Sequence, residues 1–485
     1  MRSVSLSLSP FLTHFCITLF EIALAVAALI GHGVVWVGLN NRIHATSLKR
    51  SHLKPISALV HFGTVAVPIA FAWWIFREQP YPGRWLQVVE QRPTLLFYVL
   101  FCAGMTLVHL PRWFYVRFVI LRKATSHGRR LTLLDVHKRL DRWPTKGWKF
   151  AVGRWVPFNE VMQVEFIEKV VPIVNLPPEL DGLRIVHLSD LHLSGRVEPA
   201  FFAEVMREVN ELNPDLILLT GDVFDYAKCV PWIDQVLSPL RARHGKFFIL
   251  GNHDDRLADV ATARAAISAT GFVDLGGRWG QLTVNGLPLA LDGNELPWFG
   301  PPSDDQNLSE APAKPFKILL SHSPDQVSWA QKRGYDLMLC GHTHGGQIRF
   351  PVIGPVVCPS WYGVRYSAGL FLEDSMALHV TRGVSGLFPI RWNCRPEVAL
   401  LVLRSGSQHG LRNRLPLVNL NADPASSKSF VPSAEPKLVF PMQARFLAQL
   451  AKIAAIVRPA RPKATGPCTG KTVFRNEQQH PSAMS

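Results

Sequence analysis

Five short apolar runs, each followed at once by residues that bind metal ions, constrain this sequence more than any other feature. Buried strands of an α/β sheet have such continuous runs of Val, Ile and Leu, and ligands bind just beyond the carboxyl ends of these strands. We therefore predict that the five strands build one polar pocket. The runs and their following residues are 185–189 with Asp190 and His192, 216–220 with Gly221 and Asp222, 247–250 with Gly251, Asn252, His253 and Asp254, 318–321 with His322, and 337–340 with Gly341, His342 and His344.

The side chains after these runs are carboxylates, imidazoles and an amide, which suit Mn, Fe, Zn or similar divalent ions. No cysteine is among them, which disfavours a structural zinc cluster. Gly221, Gly251 and Gly341 allow the backbone to turn sharply before the donors. Asp222 could bridge two ions, and two ions about 3.5–4 Å apart can hold the attacking and leaving oxygens of a phosphoryl group. The donor set therefore predicts a dinuclear centre for phosphoryl chemistry.

In this order, the motifs resemble the calcineurin-like metallophosphoesterase family over roughly residues 160–404. The tripeptides Gly-Gly-Gln at 345–347, Thr-Arg-Gly at 381–383 and Arg-Pro-Glu at 395–397 resemble its membrane-associated bacterial branch. The resemblance implies an α/β fold, a two-sheet sandwich flanked by helices, and a metal-dependent phosphoric ester hydrolase. Members of that branch include hydrolases of the lipid A precursor UDP-2,3-diacylglucosamine, so lipid A biosynthesis is an expected context.

The resemblance also implies a role for each motif residue. His253 would face the phosphoryl oxygens, where it would stabilise charge or protonate the leaving group, and Asp254 would orient His253. A hydroxide that bridges two divalent metal ions would attack phosphorus in line. The first metal would be held by Asp190, His192 and His344, the second by Asn252, His322 and His342, and Asp222 would bridge the two.

Other polar residues near the motifs have simpler interpretations. His187, inside an apolar run, is expected to be a core histidine, and Asp225 a loop or capping residue. Gln347 and Arg382 could contact substrate phosphate or make structural hydrogen bonds, and both alternatives stay open. Tyr226 is close to the spacing of the tyrosine ligand in purple acid phosphatases, an assignment that is disfavoured but open.

Three uncharged apolar segments, 22–39, 56–76 and 93–111, lie in the first quarter of the chain. Each is long enough to cross a hydrocarbon core of about 30 Å as a helix. The first could instead be a cleaved signal peptide, but the other two would keep the protein in the membrane. Lys and Arg number four after the first segment, three after the second and six after the third. This bias predicts a cytoplasmic catalytic domain, with the opposite face as the alternative.

The net charge of +16 is concentrated on both sides of the central region. Residues 111–150 carry +9 and residues 406–485 carry +8, so the remainder sums to −1. Basic stretches beside a membrane span favour contact with anionic lipid headgroups, whereas nucleic-acid binding would need charge on the central domain itself. We therefore expect membrane lipids and a phosphorylated, lipid-linked substrate as partners, and no nucleic acid.

These patterns divide the chain into four parts. In the C-terminal tail, an amphipathic helix around residues 446–457 could lie in the membrane interface or be a short solvated helix. Within the central domain, a stretch from about 275 to 315 is rich in Trp and Pro and is expected to form a rim over the pocket. The parts are a membrane region (1–110), a basic juxtamembrane connector (111–158), the metallophosphoesterase domain (159–404) and a basic, largely disordered tail (405–485).

The leading hypothesis for function is a membrane-anchored enzyme that hydrolyses a lipid-linked phosphate or pyrophosphate ester. An anchor favours such a substrate because it raises the substrate's local concentration at the bilayer surface. One alternative is a phosphodiesterase for soluble nucleotides. Another is a membrane receptor or scaffold with a catalytically idle site, against which the intact donor set argues.

Overall fold

Two β-sheets packed face to face form the centre of the fold in the computed structural model of the chain, which describes residues 10–78, 85–120, 128–302, 315–386 and 388–406. Almost all of the predicted tail, including its amphipathic helix, lies outside the described residues. The seven-stranded sheet has the order β1 (Gly128–Asp135), β2 (Gln163–Ile173), β15 (Glu397–Ser405), β3 (Arg184–Leu188), β4 (Leu216–Thr220), β5 (Gly245–Ile249) and β6 (Phe272–Asp274). The six-stranded sheet has the order β13 (Gly369–Glu373), β14 (Met376–Val380), β10 (Leu337–Cys340), β9 (Phe316–Ser321), β8 (Leu287–Asn294) and β7 (Trp279–Val284).

The strands that carry the predicted donors run parallel within each sheet. Strands β3, β4 and β5 are parallel neighbours in the first sheet, and β9 and β10 are parallel neighbours in the second. All five predicted apolar runs are therefore strands, and the predicted two-sheet α/β sandwich is confirmed. A small hairpin of β11 (Arg349–Phe350) and β12 (Gly354–Pro355) follows the last donor.

Alternation of side chains along the strands builds one core between the sheets and another under the helices. Ile185 and Leu218 of the first sheet pack against Ile318 and Leu339 of the second. On the outer face of the first sheet, Val186 and its neighbours pack against helical residues. Each fully buried aliphatic side chain contributes roughly 1.5–3 kcal/mol, so this double layer provides a rigid support for the strand ends.

The helices fall into a long apolar group and a short group that flanks the sandwich. Three helices are long and apolar enough to cross a membrane, with candidate spans His14–His44, Arg50–Glu78 and Pro93–Val119. These spans contain the three predicted apolar segments, and the chain is membrane-associated. The helices are α1 (Pro10–His44), α2 (Arg50–Glu78), α3 (Trp85–Glu90), α4 (Pro93–Tyr115), α5 (Val136–Arg139), α6 (Trp148–Gly153), α7 (Pro199–Glu211), α8 (Ile233–Leu237), α9 (Val260–Ala269) and α10 (Val327–Lys332).

Small residues let the long helices approach closely. A Cβ added at Gly31 would lie 1.7 Å from the carbonyl oxygen of Cys102, and one at Gly63 would lie 2.3 Å from the ring of Trp36. Such small contact residues are typical of helix packing in membranes, where van der Waals contact replaces the hydrophobic driving force. The predicted connector is partly sheet: β1 lies within residues 111–158 and pairs antiparallel with β2.

Candidate metal centre

The seven predicted metal-binding side chains meet at one edge of the sandwich, beyond the carboxyl ends of β3, β4, β5, β9 and β10. Their backbone conformation is unusual, because five of the seven have a positive φ. Non-glycine residues seldom adopt this conformation, and where they do, the strain often marks a functional site. The five are Asp190, His192, Asp222, His342 and His344.

The first group of donors is Asp190, His192, Asp222 and His344, whose ligand atoms lie within 4.8 Å of one another. Nε2 of His192 is 3.1 Å from Nε2 of His344 and 3.6 Å from Oδ2 of Asp222. Nε2 of His344 is 3.5 Å from Oδ1 of Asp190. The structure thus brings together the residues predicted for the first metal and the predicted bridging carboxylate.

The second group of donors is Asp222, His322 and His342. Nε2 of His322 is 3.3 Å from Oδ1 of Asp222 and 3.1 Å from Oδ1 of Asn252. Nδ1 of His322 donates a hydrogen bond to the carbonyl oxygen of Thr220 at 2.7 Å, which leaves Nε2 free to act as a ligand. Asp222 belongs to both groups, as a bridging ligand must.

The charges of the two groups fit divalent cations. Burial alone would lower the pKa of His192 and of His322, but neighbouring carboxylates, Asp225 for the first and Asp222 for the second, raise the pKa of each to about 9. Without a cation, the site must hold protons to balance its carboxylates, and a metal ion would displace those protons. Nε2 of His342 is buried and has no hydrogen-bond partner among the described residues, as expected of a nitrogen that binds a metal.

Two of the predicted glycines make room for the carboxylate donors. An added Cβ would lie 2.4 Å from Oδ1 of Asp222 at Gly251, and 2.4 Å from Oδ2 of Asp190 at Gly341. Gly221, by contrast, has a φ of +88° and allows the predicted sharp turn. The sequence therefore identified the right glycines, but at Gly251 and Gly341 the requirement is close packing of a side chain against the backbone.

His253 lies beside the first group and is oriented by Asp225. Its Nδ1 hydrogen-bonds to Oδ1 of Asp225, and its Nε2 is 4.0 Å from Oδ2 of Asp222. Nη1 of Arg256 lies 2.9 Å from Nε2 of His253, so a cation also contacts this ring. Neither Asp225 nor Arg256 was assigned to the site from the sequence, and the position of Asp225 three residues after Asp222 was the only available signal.

The predicted role of Asp254 as the residue that orients His253 is wrong. Its carboxylate accepts hydrogen bonds from the backbone N–H groups of Val223 at 3.1 Å, Phe224 at 2.7 Å and Gly251 at 2.9 Å. Asp254 therefore ties the turn after β4 to the turn after β5. It positions Asp222 through the backbone and leaves the imidazole to Asp225.

Arg382 makes structural hydrogen bonds, which decides between the two alternatives for this residue. Its guanidinium donates to the carboxylates of Glu397 at 2.6 Å and Glu165 at 2.9 Å. His187 is a core histidine, as predicted, with both ring nitrogens hydrogen-bonded to other buried side chains. The interior between the sheets thus contains a polar network, which Thr220 connects to the donor His322.

Two further residues support the site. The buried guanidinium of Arg391 donates to the carbonyl oxygens of Ser385 at 2.6 Å and His344 at 3.3 Å, and so holds the turn that carries the last donor. The ring of Trp298, within the predicted rim, lies 5.0 Å from the ring of His342. Its Nε1 donates to the carbonyl oxygen of Thr46 at 3.2 Å, in the loop between α1 and α2. The donors therefore lie one side chain away from a loop that joins two candidate membrane spans.

Comparison with known proteins gives several matches. A family model described as calcineurin-like phosphoesterase matches residues 183–346. An uncharacterized metallophosphoesterase, YkuE of Bacillus subtilis (strain 168), is 31% identical over 266 residues, which cover 54% of this chain and 92% of that protein. Phosphodiesterase YaeI of Escherichia coli (strain K12) is 36% identical over 234 residues, 45% of this chain and 82% of that protein. UDP-2,3-diacylglucosamine pyrophosphatase LpxG of Chlamydia trachomatis is 29% identical over 283 residues, 47% of this chain and 86% of that protein.

Proposed function

Since the chain belongs to the calcineurin-like phosphoesterase family and is therefore a metal-dependent phosphoester hydrolase, we propose that it cleaves a lipid-linked phosphate or pyrophosphate ester at the membrane surface. The most concrete candidate substrate is UDP-2,3-diacylglucosamine, which is named as the substrate of the relative LpxG. Membrane lipids are then the surroundings in which substrate and enzyme meet.

One observation carries this proposal: Trp298 contacts the second donor group and also the loop between α1 and α2. The Trp298 ring packs against His322 and His342, while its Nε1 bonds to Thr46. An ester whose lipid chains stay in the bilayer would have its phosphate close to the donors without leaving the membrane. A fixed anchor also raises the effective concentration of such a substrate at the site.

The roles of the donors follow from their grouping. We assign Asp190, His192 and His344 to one divalent ion and Asn252, His322 and His342 to the other, with Asp222 shared. The two ions, drawn from Mn, Fe or Zn, would polarise the phosphoryl oxygens and ease deprotonation of the attacking water. The protein contributes a rigid geometry, because each donor follows a buried strand.

His253 is the residue of this chain that we assign to proton transfer. Its Nδ1 is bonded to Asp225, so its Nε2, which Nη1 of Arg256 also contacts, is the nitrogen beside Asp222 that would meet a substrate oxygen. From that position it can stabilise charge on the phosphoryl group or protonate the leaving oxygen. Asp225 fixes the ring orientation, and Asp254 keeps the neighbouring turns in register.

The proposal is tested by hydrolysis assays on the purified full chain in detergent with added Mn²⁺. The substrates are a generic phosphodiester, a phosphomonoester and UDP-2,3-diacylglucosamine, and each is assayed with and without EDTA. The Asp222→Ala variant should lose both bound metal and turnover, whereas Asp255→Ala, which removes an exposed carboxylate nearby, should behave like the parent chain.

The possible outcomes test the assigned substrate separately from the hydrolytic activity. Metal-dependent turnover that is fastest on the lipid-linked pyrophosphate supports the proposal. Faster turnover of a soluble diester would overturn the substrate assignment in favour of a nucleotide phosphodiesterase. If the protein holds two metal ions by elemental analysis but turns over none of the three, the proposed substrate classes are wrong.

A further inference from the structure

A basic cavity lies near the end of α4, outside the metal donor set. It has a volume of about 450 Å³ and is bordered by the small hairpin of β11 and β12. Ligand-binding clefts usually have volumes of about 300–1,000 Å³, so this cavity could hold a headgroup-sized molecule. Its lining residues are Arg117, Arg349, Phe350, Pro351, Gly354, Pro355 and Asn393.

Among the described residues that line this cavity, two are charged, and both are arginines. Nε of Arg117 donates to the carbonyl oxygen of Val352 at 2.8 Å, and Nη2 of Arg349 donates to Oγ of Ser367 at 3.1 Å. Nε of Arg349 is buried and has no hydrogen-bond partner among the described residues. Two guanidinium groups that share a partly enclosed space repel each other unless an anion lies between them.

Phosphate is the anion that such a pair fits best. A guanidinium presents a planar fork of N–H donors that matches two oxygens of one phosphate group. Asn393 adds a polar side chain to the same wall, and its Nδ2 donates to the carbonyl oxygen of Arg349, which holds β11 in place. Gly354 keeps the cavity open, because a Cβ at this position would lie 3.0 Å from Nε of Arg117.

The hairpin tip indicates which phosphate compound reaches the cavity. Val352 is 68% exposed and Ile353 is 49% exposed, next to the exposed ring of Phe350. The tip is bonded to α4, because Nε1 of Trp113 donates to the carbonyl oxygen of Ile353 at 3.2 Å. The candidate span that contains α4 extends to Val119, so these apolar side chains lie beside a membrane helix.

The backbone of the tip supports the same interpretation. Val352 has a φ of +63°, a conformation that a β-branched residue rarely adopts. Its side chain is exposed, so packing in a core does not offset the strain. The hydrogen bond from Arg117 to its carbonyl oxygen holds the conformation, and exposed apolar residues beside a span are favourable when they enter the lipid interface.

We propose that this cavity binds the phosphate of an anionic membrane phospholipid, between Arg117 and Arg349, while Val352 and Ile353 enter the apolar edge of the bilayer. The site is distinct from the metal centre and needs no turnover. It fixes the catalytic domain against the membrane at a second point, because β11 begins five residues after the donor His344.

The test is lipid binding by the purified full chain in detergent, measured by native mass spectrometry. We expect phosphatidylglycerol to bind in preference to phosphatidylcholine. The Arg117→Gln/Arg349→Gln variant should lose about tenfold or more in affinity for phosphatidylglycerol, since charge-assisted hydrogen bonds are lost. Arg349→Lys, which keeps the charge, should retain part of the binding, and Arg129→Gln/Arg243→Gln, an equal change of charge at two exposed positions, should bind like the parent chain.

Several results would overturn the proposal. Unchanged phosphatidylglycerol binding by a correctly folded double variant, with thermal unfolding as the check on folding, would exclude this cavity as the site. Equal binding of inorganic phosphate or glycerol phosphate would identify a site for free anions instead of lipid. As a second variant away from the arginines, Ile353→Ser should also weaken lipid binding, and an unchanged affinity would contradict the role of the tip.

Discussion

A single carboxylate oxygen connects the metal donors to the residue that we assign to proton transfer. Oδ1 of Asp225 lies 3.2 Å from Nδ1 of His192 and also hydrogen-bonds to Nδ1 of His253. The two imidazole rings are 4.5 Å apart and roughly perpendicular. Because Asp225 bonds to Nδ1 of each ring, Nε2 of each ring lies near Oδ2 of Asp222, 3.6 Å away for His192 and 4.0 Å away for His253.

We predict that Asp225→Asn lowers kcat by about 100-fold or more, because the amide loses the charge that orients both imidazoles. His253→Ala should lower kcat by about 10²–10⁴-fold while two metal ions stay bound. If Asp225 acts largely through His253, the double variant should lose less than the sum of the two single losses in log kcat, and any loss beyond that of His253→Ala is due to His192. Fully additive losses in kcat, or wild-type activity of either single variant, would contradict the assigned roles. Asp255→Asn is the matched control.

The sequence predicted the donors but not the residue that supports them. Donors follow directly from side-chain chemistry, since Asp, His and Asn placed after buried strands have few other uses. The supporting residue depends on how the turns fold back. Leu193 and Phe224 form an isolated β-bridge, which carries Asp225 to His192. Asp254, which follows no such bridge among the described residues, turns inward to backbone N–H groups, and nothing in its position in the sequence reveals this difference.

At the scale of single elements, the turn after β5 requires glycine at position 251, because other side chains pack closely against its Cα. A methyl group at Gly251 would lie 2.4 Å from Oδ1 of Asp222 and 2.8 Å from Cε1 of His322. We predict that Gly251→Ala keeps the fold but weakens metal binding by about 10–100-fold, the usual effect of displacing a ligand's support. Gly300→Ala, where an added Cβ meets nothing within 4 Å, should bind metal normally. Metal titration by calorimetry distinguishes the two, and equal affinities would contradict the steric argument.

Strands β2 and β15 are joined by buried charges as well as by backbone hydrogen bonds. The Glu397 side chain is 1% exposed and pairs with both Lys169 and Arg382. We predict that Glu397→Ala lowers the free energy of unfolding by about 3–5 kcal/mol, because it leaves the buried Lys169 without its carboxylate and Arg382 with Glu165 alone. Glu168→Ala removes a carboxylate of β2 that pairs with a largely exposed arginine, and should cost less than about 1 kcal/mol. Chemical denaturation of both variants measures this, and equal losses would contradict the prediction.

The two sheets show which elements could be predicted. The five apolar runs are central strands, whose burial on both faces leaves an unmistakable pattern. Strand β1 was missed, because it is an edge strand that is exposed along most of its length, including Arg129 and Arg130. In sequence, these charges look like a basic segment beside a membrane, and only its pairing with β2 shows that the segment from Gly128 belongs to the sheet.

At the scale of the whole molecule, the contacts between the catalytic domain and the membrane helices limit how the chain can be oriented. Trp298 bonds to the loop after the first span, and Asn41 near the end of α1 accepts a hydrogen bond from the backbone N–H of Cys358 at 3.1 Å. The loop between α1 and α2 and the catalytic domain must therefore share one face of the membrane. Sequence patterns predicted the spans but could not reveal this contact, which joins residues more than 250 positions apart.

The basic residues after the first and third spans predict that this shared face is cytoplasmic. We therefore expect engineered cysteines at two exposed positions, Ser51→Cys beside the loop and Ser405→Cys at the end of β15, to react with a membrane-impermeant maleimide only after the cells are lysed. Glu78→Cys, at the far end of the 29-residue helix α2, should react in intact cells, because such a helix is about 44 Å long. The background is Cys16→Ser/Cys468→Ser, since Cys16 is the exposed cysteine among those described and Cys468 lies outside the described residues. Labelling of Ser51→Cys and Ser405→Cys in intact cells would place the catalytic domain on the opposite face, and labelling of only one of the two would contradict the contact between Trp298 and the loop.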